Sequence, residues 1–172
     1  MVEGGDAAAF ARIALPHLDA AYNLARWLVR DPVLAEDVVQ DAMLRGLTYV
    51  RSFRGENPRA WVLQIVRTAA YTRLAARRDT AEVPLDPDPA NEIVDTADDP
   101  ETASMQRERT ATLEAALAAL PAELREVIVL RELEEMSYRD IAQVTGVPIG
   151  TVMSRLWRAR RALRLPAEEP AR

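Results

Sequence analysis

Apolar residues recur along this chain at the three-and-four spacing of helices, and no stretch alternates as a strand does. Over residues 6–30 the apolar side carries Phe10, Ile13, Leu18, Ala21, Leu24, Ala25 and Leu28, and Pro16 predicts a kink or break within it. Asp31-Pro32 is a cap followed by a first-turn proline, predicting a helix to about Tyr49 with Leu34, Val38, Met43 and Leu47 inward. Glycine, asparagine and proline mark residues 51–58 as a loop. A third helix is expected from about Pro58 to Arg78, with Trp61, Ile65, Ala69 and Leu74 inward. After residue 106 the pattern resumes: Leu113, Leu117 and Leu120 share one face, and Pro121 restarts a helix to about Glu135 that buries Leu124, Val127 and Ile128. The expected fold is all-α, with two small helical bundles joined by an acidic flexible linker.

The second bundle ends in a motif. Ser137 is a natural N-cap with Asp140 three residues on, Thr145-Gly146-Val147 stops that helix, and Pro148 suits the first turn of the next. Short helix, glycine turn and longer basic helix is the helix-turn-helix pattern, whose second helix enters the DNA major groove. Val152, Leu156, Ala159 and Leu163 form one buried stripe on that helix. Gly150, Ser154, Trp157 and Arg161 then point the opposite way, flanked by Met153, Arg158 and Arg164. Residues 148–166 hold five arginines and no acid. Arginine forks grip phosphates or read guanine edges, and Gly150 lets the helix N-terminus approach a phosphate. A solvated arginine face is the plainer alternative, but a tryptophan centred on that face has no core role there.

Charge is unevenly shared. The net −5 conceals 11 arginines against 8 acids in residues 1–78, and 11 against 10 in residues 107–172. Residues 79–106 hold nine acids, four prolines and no base, the composition of a linker. The chain has neither lysine nor cysteine, so disulfides and cysteine zinc sites are excluded. No apolar run reaches membrane-spanning length and no signal-peptide pattern opens the chain, so no membrane insertion and a cytoplasmic location are expected. The tail from Pro166 is expected to fray.

Further motifs identify a family. Leu120-Pro121, Arg125-Glu126-Val127, Ser137-Tyr138, Asp140-Ile141-Ala142, Pro148–Val152 and Ser154–Arg160 resemble the promoter-binding region of extracytoplasmic-function (ECF) sigma factors of bacterial RNA polymerase. Asp31-Pro32 with Ala35–Asp41 resembles the second conserved region of the same family, and Phe53–Ile65 resembles the next. The resemblance implies three units: a region 2-like domain over residues 6–78, an acidic linker over 79–106, and a region 4-like helix-turn-helix domain over 107–166. It implies core RNA polymerase, promoter DNA and an anti-sigma factor as partners, and no cofactor. Asp37, Gln40 and Asp41 would meet the polymerase. Phe53, Arg54, Asn57, Arg59, Arg67 and Arg73 would hold the unstacked −10 strand. Gly150, Thr151, Met153, Ser154, Arg155, Trp157, Arg158 and Arg161 would read the −35 duplex.

The chain departs from the family pattern in three places. Val66-Arg67-Thr68 stands where an asparagine is usual, Thr72 stands near the place of an aspartate, and Met153 replaces a basic residue. The linker acids Asp86, Asp88, Glu92, Asp95, Asp98 and Asp99 would imitate a nucleic-acid backbone in a basic channel, or simply keep the linker soluble. Trp61 reads as core. A stand-alone helix-turn-helix regulator with a sensing or dimerising N-terminal domain explains the second bundle, but not the Ala35–Asp41 motif. An enzyme is the weakest reading. The acids lie in a linker or on helix faces, and the single histidine, His17, has no catalytic neighbours.

Overall fold

The computed structural model describes residues 4–80 and 99–164. Those residues are helical with no strand among them. The N-terminal module contains α1 (Gly4–Ala14), α2 (Leu18–Val29), α3 (Pro32–Tyr49) and α4 (Pro58–Thr80); the C-terminal module contains α5 (Pro100–Ala119), α6 (Ala122–Ile128), α7 (Tyr138–Thr145) and α8 (Ile149–Leu163).

Local chemistry sets these boundaries. Pro16 breaks the first apolar run into α1 and α2 through a 3₁₀ turn at Leu15–His17. Asp31 caps α3, its Oδ1 accepting from the amides of Val33 at 3.0 Å and Leu34 at 3.1 Å. Helix α4 packs on α2 and α3, burying Ala60, Val62, Leu63, Val66, Ala69 and Ala70 against Leu24, Leu28, Ala35, Val38 and Ala42. Helix α1 closes on α3 at Gly46, where a Cβ would lie 2.6 Å from the Phe10 ring. A larger residue there would force the two helices apart.

The C-terminal module differs from expectation at two points. Helix α5 begins at Pro100, not Arg107, so part of the expected linker is helical. The rest of the linker to residue 98, including Asp86, Asp88, Glu92, Asp95 and Asp98, lies outside the described residues, as does the tail from residue 165. Beyond α6 the helix widens into a π turn at Val129–Leu133, and the Glu134 amide reaches back to the Val129 carbonyl at 3.1 Å. Helices α6, α7 and α8 then pack around Val127, Leu130, Ile141, Val144, Val152 and Leu156. The two modules touch directly: α7 packs on α4, and α6 on α2.

Candidate nucleic-acid and polymerase interfaces

The helix-turn-helix is built as its sequence implies. The Ser137 hydroxyl accepts from the Asp140 amide at 3.1 Å, and Gly146, at φ +70°, ends α7 in the left-handed region that favours glycine. Val152, Leu156 and Ala159 are buried. Gly150, Met153, Ser154, Trp157, Arg158 and Arg161 lie exposed on the other side of α8, and Thr151 is half-buried. Trp157 is 56% exposed, and the Arg161 guanidinium lies 5.2 Å from its ring centroid. That contact lays a planar cation along an aromatic plate on an otherwise polar face.

Not every arginine of α8 shares that face. Arg155 turns inward, its Nη1 3.7 Å from Glu126 Oε1 and its Nη2 3.9 Å from Glu123 Oε2. Arg160 is buried and binds Glu132. Arg158, Arg161 and the terminal Arg164 remain outward.

The N-terminal site residues have a different fate. Phe53 leans on Trp61 at 5.1 Å between centroids, and Phe10 meets the same indole edge-on at 6.5 Å. Trp61 is thus both core and the floor beneath Phe53. Arg54 is exposed. Asn57, at φ +43°, caps α4 by accepting from the Ala60 amide at 3.1 Å, while its Nδ2 donates to Asp140 Oδ1 at 2.7 Å. Arg59 donates to Glu134 at 2.6 Å, and Asn23 donates to the same carboxylate at 3.2 Å. Arg67 grips Glu126 with two nitrogens, at 2.7 and 3.1 Å, and its guanidinium lies over the Tyr71 ring. Arg73 donates to Asp41 at 3.0 Å, so Asp41 does not stand free beside Asp37 and Gln40, which are exposed. Thr68 and Thr72, the departures on α4, fold their hydroxyls back onto the Gln64 and Thr68 carbonyls.

Sequence reasoning missed the partners in these contacts. Glu126, Glu134 and Asp140 belong to the C-terminal module, and Glu126 is 1% exposed. Burial raises the Glu126 carboxyl above its ordinary value, and the neighbouring Arg67 pulls it back. Arg125 is the second surprise. It donates to the Leu117 and Leu120 carbonyls at 3.1 and 2.8 Å, and across the modules to the Trp27 carbonyl at 2.8 Å. One guanidinium so terminates both α5 and α2. The available signal was two charged residues opening the apolar run Val127-Ile-Val-Leu130, where solvated side chains have no room.

The chain matches the sigma-70 region 2 family over residues 13–80 and the sigma-70 region 4 family over residues 110–163. It is 35% identical over 167 residues to the ECF RNA polymerase sigma-E factor of Haemophilus influenzae, covering 92% of this chain and 87% of that protein. The chain is an ECF sigma factor. It is also 33% identical over 172 residues to the RNA polymerase sigma-H factor of Pseudomonas aeruginosa, covering 94% of this chain and 88% of that protein. Its fold resembles that of the sigma factor RpoE from Bartonella quintana, solved with the anti-sigma factor NepR. The TM-score is 0.74 at 29% identity, over 90% of this chain and 94% of that one. As an ECF sigma factor it directs RNA polymerase in transcription initiation and is a non-catalytic subunit, which sets aside the stand-alone regulator and the enzyme. Among the described residues no helix is long and apolar enough to cross a membrane.

Proposed function

We propose that this sigma factor reads the −35 duplex with the outer face of α8 and captures −10 bases with the loop before α4 and the face of α4. The observation that carries the reading is the exposed set Gly150, Met153, Ser154, Trp157, Arg158 and Arg161. Arg158 and Arg161 reach phosphates or guanine edges, while Met153 and Trp157 suit thymine methyls and sugars. Thr151 borders that face, and Arg155 supports the helix from beneath through Glu126. On the N-terminal module Phe53, backed by Trp61, offers a plate for an unstacked base, and Arg54, Asn57, Arg59, Arg67 and Arg73 supply donors for bases and phosphates. Holding an extruded base offsets part of the cost of opening the duplex, which is how the module would favour promoter melting.

Asp37 and Gln40, with Asp41 beside them, form the polymerase-facing edge of α3, suited to arginine partners. The factor would work in the cytoplasm, where its polymerase is. The RpoE–NepR complex supports an anti-sigma partner here too. The superposition covers 90% of this chain, so it spans both modules, and exposed Met105, Leu113 and Leu133 offer apolar surface. The test is co-purification with core RNA polymerase, then run-off transcription on genomic promoter fragments. New transcripts sharing two spaced elements are expected; capture of duplex DNA without capture of polymerase would overturn the reading.

A further inference from the structure

The contacts between the two modules fall on the same donors that the −10 reading assigns to nucleic acid. Asn57 Nδ2, Arg59 Nη2 and the Arg67 fork each end on a C-terminal-module carboxylate: Asp140 at 2.7 Å, Glu134 at 2.6 Å and Glu126 at 2.7 and 3.1 Å. The three come from successive pieces of the chain (α7, the loop before it, and α6), yet all meet the one edge of α4 and its preceding loop. A phosphodiester backbone would offer anionic oxygens to these donors in the same way. We propose that the C-terminal module closes over the −10 face as an internal stand-in for the DNA strand, with Glu126, Glu134 and Asp140 competing against unpaired nucleic acid for Asn57, Arg59 and Arg67. The proposal rests on the −10 reading given above.

Two further observations suit a contact made to open. The fit around Glu126 is loose: Arg155 Nη1 stands 3.7 Å from Glu126 Oε1, beyond hydrogen-bond reach. In addition, the seal is made by ion pairs whose arginines keep one edge in solvent, Arg59 at 34% and Arg67 at 23% side-chain exposure. An incoming anion therefore reaches them without prior unfolding of either module. The outer face of α8 takes no part in these contacts, so duplex binding and closure are compatible, whereas strand capture and closure are not.

The test uses the full chain and a fluorescent random-sequence single-stranded 15-mer, with a random duplex of the same length as comparison. Because the sequence contains no cysteine, Asp19→Cys and Gln143→Cys give one labelling site on each module for an energy-transfer distance. Glu134→Gln with Asp140→Asn should lengthen that distance. They should also tighten single-strand binding about tenfold, as expected when a mostly closed population becomes mostly open. Duplex affinity should move less than about twofold. Glu114→Gln with Glu135→Gln removes the same charge from exposed sites and should do neither. If the modules separate and single-strand affinity does not rise, two variants divide the causes. Arg59→Ala and Arg67→Ala in the opened background that still weaken single-strand binding would sink the competition alone. The same variants without effect would sink the −10 reading beneath it.

Discussion

The two faces proposed to meet nucleic acid in this sigma factor are prepared differently. The face of α8 is finished and open: Trp157, Arg158 and Arg161 stand in solvent, and the arginines that point inward, Arg155 and Arg160, already hold carboxylates of their own module. The face of α4 is finished and occupied, its donors bound to carboxylates from across the chain. On the proposed reading, the difference follows from the ligand each face would meet. Duplex DNA presents its groove edges without prior work, so a rigid exposed helix suffices. An extruded base becomes available only when the duplex opens, and free donors waiting for it would bind any single strand in the meantime.

The largest expected effect lies outside both faces. Asp37→Arg with Asp41→Arg should abolish capture by core polymerase in a pull-down while leaving helix content by circular dichroism unchanged. Asp41 also neutralises Arg73, so Arg73→Ala alone separates the two roles. If it too abolishes capture, Asp41 acts by positioning and Asp37 carries the contact.

Next in size is Arg125→Met. It keeps the apolar stem but leaves the Leu120 and Trp27 carbonyls without their donor, each held at 2.8 Å. Urea denaturation should show a loss of about 3 kcal/mol, the scale for removing a buried charged donor from two good acceptors. Arg125 touches neither of the faces proposed to meet nucleic acid. A full-sized loss with duplex binding retained would show that the modules are joined by a structural clasp distinct from the carboxylate contacts.

The open face is tested by Trp157→Ala and Arg158→Ala. Each should lower run-off transcription about tenfold, within the 1–3 kcal/mol range of a good base-edge contact, with polymerase capture unchanged. Arg155→Ala should fail differently. Its side chain backs Glu126, so a change in inter-module distance should accompany any loss of transcription.

How much of this could be read from the chain divides along the same line. Asp31, Ser137, Gly146 and Pro16 act locally, through their own backbone neighbours, and each does in the structure what its residue type implies. The buried stripe of α8 was legible because a period of 3.6 fixes which residues face together. The start of α5 at Pro100 was not, because nine acids and four prolines in residues 79–106 outweigh a helix that has no continuous apolar stripe. Nor were the partners of Arg59 and Arg67. Periodicity says that a side chain faces inward, but not which carboxylate, 75 or 59 residues away, will meet it.

The smallest expected effect is on pH. Glu126 sits among Arg67, Tyr71, Arg155 and Glu123, and burial, the largest influence, raises its carboxyl above the ordinary 4.5. The closed form therefore holds this proton more tightly than a form in which Glu126 meets water. Its contribution to closure is fully present below the ordinary carboxylate value and is lost as pH rises through the raised one. Raising pH across the weakly acidic range should thus lengthen the inter-module distance, and Glu126→Gln should remove that slope. His17 titrates with the opposite sign: burial first, then Arg59, lowers it from 6.5, so its contribution is present above 6.5 and fades as pH falls through the lowered value. A slope of that reversed sign, the distance shortening as pH rises, that persists in Glu126→Gln and vanishes in His17→Gln would assign it to the imidazole beside Arg59, leaving closure itself to be judged by the strand-binding experiment.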